Sequence, residues 1–131
     1  MTATTMKKLT PVLVMPTCEP SLDFWEKRLG FTRTVEVPHE GTIGFAILTR
    51  DDVEVMVQSE ASVRADFGDA SRPLPGTAAA LFVEVENLDG IEQALEGYPI
   101  AMPRRTTFYG MHEIGVREPG GHFVTFAQPS G

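Results

Sequence analysis

Apolar residues fall along this chain in short alternating runs, broken at two corresponding places by a stripe of helical period. The first run, "PVLVM" (11–15), has the composition of a buried strand. Cys18, Leu22, Trp25 and Leu29 then recur at helical spacing within "CEPSLDFWEKRLG". Thr17 is placed to cap this helix, Pro20 is tolerated in its first turn, and Gly30 ends it. "FTRTVEV", "TIGFAILTR" and "VEVMVQ" follow as strands, the last two joined by a turn at Asp51–Asp52. The predicted order is β-α-β-β-β. The stretch "SEASVRADFGDASRPLPGT" (59–77) shows little periodicity, ends in Pro and Gly, and reads as a linker. Then the order recurs. "AAALFVEVE" reads as a strand, and "NLDGIEQALEG" places Leu88, Ile91 and Leu95 on one helical face between an Asn87 cap and a Gly97 stop. A weakly patterned strand within "YPIAMPRRTTF" is followed by "GMHEIGV" and "HFVTFAQ". "RLGF" echoes "LEGY", and "VEVMVQ" echoes "FVTFAQ". The pattern predicts an α+β fold of two βαβββ modules in a single domain over 1–131: module one at about 8–58, the linker at about 59–77, module two at about 78–128.

Composition narrows the partners. With 131 residues, the chain is long enough to bury a sizeable core. No apolar run approaches the roughly 20 residues of a membrane helix, and "MTATTMKKLT" lacks the apolar segment of a signal peptide. A cytoplasmic, non-membrane protein is expected. Eighteen acidic against eleven basic residues give a net charge of −7, which disfavours nucleic acid and suits a ligand carrying positive charge. One cysteine, Cys18, excludes an intramolecular disulfide and a multi-cysteine zinc site. Its place early in a helix could lower its pKa, whereas its place on the apolar stripe predicts packing.

Candidate chemistry concentrates in "FYGMHEIGVREPGGHFVTFAQ" (108–128), which holds two of the three histidines. His112 and Glu113 are adjacent on a strand and point to opposite faces, so they cannot share an ion. His122 follows the Gly-Gly turn and lies well over ~10 Å from Glu113 along the ladder, at about 3.4 Å per residue. These three do not make one metal site. His122 reads as a turn residue and His39, in "VPHEG", as a loop residue. There is no phosphate-binding glycine loop opening a helix, and no Gly-x-Ser-x-Gly elbow.

Three stretches carry a family likeness: "PVLVMPTCEPSLDFWEKRLGF", "LFVEVENLDGI" and "GMHEIGVREPGGHFVTFAQ". Together they resemble the vicinal oxygen chelate superfamily of glyoxalase I, extradiol dioxygenases, fosfomycin-resistance enzymes and bleomycin-resistance proteins, the last most of all. Pro11 stands where such proteins often carry a proline. The resemblance implies concave sheets with helices on their outer faces and a ligand cavity within. On strand phase, Val53, Val55 and Val57 would then face the helix, leaving Glu54, Met56 and Gln58 inward; Ile114 and Val116 would take the helix side, leaving Met111 and Glu113 inward. Metal-using members supply ligands at positions that fall here on Thr10, Glu54, Ala80 and Thr125. Only Glu54 is a metal-binding type, and a catalytic divalent metal typically wants three or more protein ligands.

No metal or other cofactor is therefore expected. The ligand-binding candidates are Phe45, Glu54, Met56, Phe82, Phe108, Tyr109, Met111 and Glu113, an apolar set with two carboxylates. Trp25 belongs to the helix stripe and is assigned to the core. For Glu113 two readings stand side by side: a structural partner of Arg104, Arg105 or Arg117, or a cavity carboxylate for a cationic ligand. Glu54 has the same two. The expected function is sequestration of a small molecule by a protein similar to bleomycin-resistance proteins, which the resemblance further implies to be a homodimer with pockets near the subunit interface. The alternative is a glyoxalase- or dioxygenase-type enzyme with a shifted metal site around Glu54 and Glu113, for which Gln58 is the one spare ligand.

Overall fold

Each alternating run forms a strand because one of its faces is covered by a helix. In the computed structural model, which describes residues 4–68 and 78–131, module one comprises β1 (Val12–Met15), α1 (Glu19–Asp23), β2 (Thr32–His39), β3 (Thr42–Arg50) and β4 (Val53–Ser59). After α2 (Glu60–Phe67), module two comprises β5 (Ala80–Glu84), α3 (Leu88–Ala94), β6 (Met102–Thr106), β7 (Met111–Arg117) and β8 (Phe123–Pro129). The strands make two four-stranded sheets, ordered β1-β4-β3-β2 and β5-β8-β7-β6. In each, the opening strand runs parallel to the closing strand, and the other pairs are antiparallel. This is the α+β arrangement of two βαβββ units that the apolar pattern predicts.

One core joins the modules. Leu13, Ala46, Leu48, Val55 and Val57 from the first sheet and Ile114, Val116, Val124 and Phe126 from the second are buried in a single cluster with Leu22, Trp25, Leu29, Leu88 and Leu95. Trp25 lies at its centre, edge-on to Phe24 and Phe31. The α3 reading holds in detail: Asn87 Oδ1 accepts the Gly90 N–H at 3.1 Å, and Gly97 takes the positive φ that stops the chain from continuing.

Two helical details differ from expectation. The cap position of α1 falls on Cys18, which makes no capping hydrogen bond, rather than on Thr17. Beyond Asp23 the helix widens into a π turn over Phe24–Arg28, so that Phe24 is buried as well as Trp25. The first half of the segment read as linker forms α2, capped by Ser59 Oγ accepting the Ser62 N–H at 3.2 Å. Val63 is the one residue α2 buries, and that single anchor leaves no apolar period to read. Residues 69–77 of that segment lie outside the described residues.

Cys18 is a packing residue. It has no exposed surface, and burial, followed by the nearby Glu19 carboxylate, pushes its thiol up from 9.0 to about 11. An unfolded thiol ionises near 9 while the folded one stays neutral to about 11, so this group's contribution to stability is lost as pH rises across that window. Folded protein at pH 8 is expected to be inert to Ellman's reagent, with one thiol released on denaturation. Rapid labelling of the native protein would contradict this placement.

Candidate functional site

Residues turned away from the helices compose one open face on each sheet. On the first, the registers set Val12, Ile47 and Met56 side by side, with Phe45 between Val37 and Gln58. Val12, Val35 and Val37 remain 44, 43 and 49% exposed, a solvent-facing apolar surface rather than a core. Glu54 lies at one end of β4, on the face its phase predicts. Its Oε1 accepts from Thr10 Oγ1 at 3.0 Å and from Lys8 Nζ at 2.9 Å. The Lys8 hydrogen bond, then that of Thr10, hold the Glu54 carboxyl below the usual carboxylate range. Gln58 is not free to serve as a ligand, because its amide is buried and donates to Ser62 Oγ at 3.1 Å.

On the second sheet the open face holds Phe82, Phe123 and Thr125, with Gly115, Glu113 and Met111 beyond them. Gly115 leaves room for the Phe123 ring, since a Cβ there would meet Phe123 at 2.8 Å and Met102 at 3.1 Å. Glu113 is 1% exposed and fully engaged. Its Oε1 accepts from Arg105 Nε at 3.2 Å and Nη2 at 3.0 Å, and its Oε2 accepts from Tyr109 Oη at 2.7 Å. That hydrogen bond first, then desolvation and the carboxylate's charge, raise the Tyr109 phenol above its ordinary value. Of the three arginines considered for Glu113, Arg105 is its partner. Arg104 pairs with Asp89 and Glu92, and Arg117 donates to Gly121 O.

Seven of the eight candidate residues thus separate into two clusters. Phe45, Glu54 and Met56 share the first open face; Phe82, Met111, Glu113 and Tyr109 share the second or its edge. Phe108 stands apart from both: it is wholly exposed, with its ring edge-on to Tyr109. His112 lies on the face opposite Glu113, with its Nδ1 2.9 Å from Thr106 Oγ1.

His122 has more than a turn role. Its ring is buried between the modules, where Nδ1 accepts the Ala79 N–H at 2.8 Å and Nε2 donates to Val14 O at 2.9 Å. Glu118, the acidic residue that opens the Pro-Gly-Gly turn, is 1% exposed beside it.

The registers also test the four positions at which metal-using relatives carry ligands. Val12 opposite Met56 brings Thr10 next to Glu54. In module two, Phe123 faces Ala80, and Thr125 faces Phe82. Ala80 and Thr125 therefore do not face each other as Thr10 and Glu54 do, but lie two residues out of register. Neither phenylalanine nor threonine supplies a carboxylate. Among the described residues no group of three or more His, Cys, Asp or Glu side chains could hold one metal ion. No described helix is long and apolar enough to cross a membrane.

Comparison with known proteins agrees with this architecture. A family model described as the Glyoxalase/Bleomycin resistance protein/Dioxygenase superfamily matches residues 9–126. No curated protein matches the chain. Among solved structures, TioX from Micromonospora sp. ML1 is similar at 21% identity and a TM-score of 0.78, covering 95% of this chain and 99% of its own. The bleomycin-binding protein from bleomycin-producing Streptomyces verticillus, complexed with copper(II)-bleomycin, is 20% identical with a TM-score of 0.65, covering 95% and 97%. A lactoylglutathione lyase from Agrobacterium tumefaciens is 12% identical with a TM-score of 0.73, covering 93% and 92%. At these identities the likeness is one of fold, and it spans binders and enzymes alike.

Proposed function

Because the chain belongs to the glyoxalase/bleomycin resistance protein/dioxygenase superfamily, whose chemistry depends on what its open faces carry, we propose that it is a metal-independent small-molecule-binding protein. It holds its ligand against the apolar open faces of the sheets and acts by sequestration, in the manner of a bleomycin-binding protein. The observation that carries this reading is the ligand-position set. Thr10, Ala80 and Thr125 have no metal-binding side chain of ordinary type, and neither does Phe123, which faces Ala80; Glu54 is already engaged by Lys8 and Thr10. A catalytic divalent site typically uses three or more protein ligands. One carboxylate with an internal cation on it falls short.

What the faces do offer suits an organic ligand with cationic groups. Phe45, Met56 and Phe82 supply apolar area, and the half-exposed Tyr109 ring, held in place by its hydrogen bond to the buried Glu113 carboxylate, gives a fixed aromatic face for a cation at the edge of the second sheet. The same faces leave Val12, Val35, Val37 and Phe82 exposed in a single chain, which suits a homodimer with its pockets near the subunit interface.

Protein incubated with manganese, iron, nickel and zinc and then desalted is expected to retain far less than one equivalent of any of them. Titration calorimetry with a bleomycin-type cationic glycopeptide is expected to show saturable binding, weakened about tenfold, or ~1.4 kcal/mol, by Tyr109→Ala. Retention of one equivalent of a single metal per chain would sink the metal-independent reading and favour an enzyme.

A further inference from the structure

The Nε–Nη2 edge of an arginine carries two parallel N–H groups that match a carboxylate. Two arginines here use it so. Arg33 Nε and Nη2 each donate to a Glu26 carboxylate oxygen at 2.7 Å. Arg105 Nε and Nη2 donate to Glu113 Oε1 at 3.2 and 3.0 Å. At Arg117 the same edge is empty. Its Nη1 donates to Gly121 O at 3.2 Å, and among the described residues neither Nε nor Nη2 has a partner.

Its place in the fold says what that edge faces. Arg117 lies opposite Phe123 in the β7–β8 register and shares the phase of Gly115 and Glu113, so it stands on the second open face. Glu113, further along β7, is held by Arg105 and Tyr109. Glu118, next in the chain, is buried against the Ser21 hydroxyl and the His122 N–H. Neither is free to fill the edge. The side chain is exposed, yet two contacts fix it: the hydrogen bond to Gly121 O and the Phe123 ring, whose centre is 5.7 Å from the guanidinium carbon. Such fixing lowers the ordering cost of a bound ligand. Apolar surface adjoins it. The Phe123 ring lies against Gly115, where a Cβ would meet it at 2.8 Å, and Phe82, diagonal to Phe123 on the same face, is 56% exposed.

We propose that Arg117 is a carboxylate anchor of the second open face, taking an aromatic carboxylate with its acid on the Nε–Nη2 edge and its ring on Phe123 and Phe82. The inference rests on the reading of the open faces as the ligand site, and it adds an acidic group to what that site selects. Tyr109 and Arg117 stand at opposite ends of β7, about 20 Å apart at ~3.4 Å per residue. An elongated ligand with a cation at one end and a carboxylate at the other would meet both.

The probe is 2-naphthoate, titrated into the full chain and followed by amide NMR. Saturable shifts are expected at Gly115, Arg117 and Phe123, and 2-naphthylmethylamine should not move these amides. Arg117→Gln should weaken naphthoate tenfold or more. Arg117→Lys keeps the charge without the planar edge and should stay at least threefold weaker than wild type. Lys7→Gln, an equal loss of charge in the segment before β1, should change nothing. Arg117 is exposed, so its variants are expected to fold, and circular dichroism checks that they do. The proposal is overturned by no saturable shift with naphthoate, or by unchanged affinity in Arg117→Gln. It is equally overturned if Arg117→Gln turns a dimer into a monomer in light scattering, which would assign the edge to a carboxylate of a second copy. Glycopeptide binding that persists without naphthoate binding removes this anchor alone; loss of both removes the open-face reading with it.

Discussion

Glu118→Ala is expected to lower unfolding free energy by about 2–4 kcal/mol, a large part of the ~5–15 kcal/mol typical of a whole domain. The estimate follows from what the carboxylate serves. Glu118 Oε2 accepts the Ser21 hydroxyl at 2.6 Å, across 97 residues of sequence. Glu118 Oε1 accepts the His122 backbone N–H at 3.2 Å. Ser21, Glu118 and His122 are all buried, so alanine would strand two donors away from water, at about 1–3 kcal/mol each. The surrounding turn is also shaped to the side chain: a Cβ on Gly120 would fall 2.6 Å from Glu118 Oε1 and 2.8 Å from Met15 Cε. The loss reaches further, because this turn positions His122, whose ring links β1 to the residue preceding β5. Since Nδ1 accepts a backbone N–H, the ring serves in its neutral, Nε2-protonated form. Glu118→Gln keeps a carbonyl acceptor and should cost less than half as much. Urea unfolding followed by Trp25 fluorescence and by circular dichroism checks both values: the midpoint should fall with an unchanged slope. A loss under about 0.5 kcal/mol in Glu118→Ala would show that this inter-module latch contributes little.

Glu118 also marks the boundary of what the sequence makes legible. Alternation along β4 and β7 correctly separated Val55, Val57, Ile114 and Val116 from Glu54, Met56 and Glu113, because a strand's two faces are a local property. Helical spacing placed Leu22, Trp25, Leu88 and Leu95 in the core for the same reason. The Ser21–Glu118 and Val14–His122 bonds join positions 97 and 108 residues apart, and no periodicity encodes such pairing. A signal was present in the acidic residue opening the Pro-Gly-Gly turn, but nothing local distinguished it from a solvated turn. The Arg105 partner of Glu113 was among three arginines considered, and register decided among them: Arg105 lies directly opposite Glu113. Ala80 and Thr125 fall two residues out of register with each other, because turn motif and strand register are separate constraints.

The exposed apolar residues of the open faces lead to the second large effect, on assembly. Phe82 is 56% exposed, Val37 49% and Val12 44%, and in each sheet these side chains stand on the face that the helices leave bare. A protein of net charge −7 keeps this much apolar surface in water only at a cost, roughly 25 cal/mol for each Å² left uncovered. A second copy meeting these faces would cover it, and a stable interface needs on the order of 1,200–2,000 Å² in total. The wild-type protein is therefore expected to elute with twice the 14.3 kDa chain mass in light scattering coupled to size exclusion. Phe82→Asp, combined with Val37→Asp, would set carboxylates against the partner's surface without any countercharge. Such burial costs several kcal/mol per ion, enough to weaken association by about a thousandfold or more, and the double variant should elute as a monomer. Ile100→Asp is the control. Ile100 is 40% exposed, but it borders the groove of α3 beside Ile114 on the helix side, so its variant should remain dimeric. If the dimer also completes the ligand pocket, the monomeric variant should lose glycopeptide binding while keeping its circular dichroism spectrum. A monomeric wild type that still binds would assign the bare faces to the ligand alone, with the exposed valines as the walls of an open pocket rather than an interface.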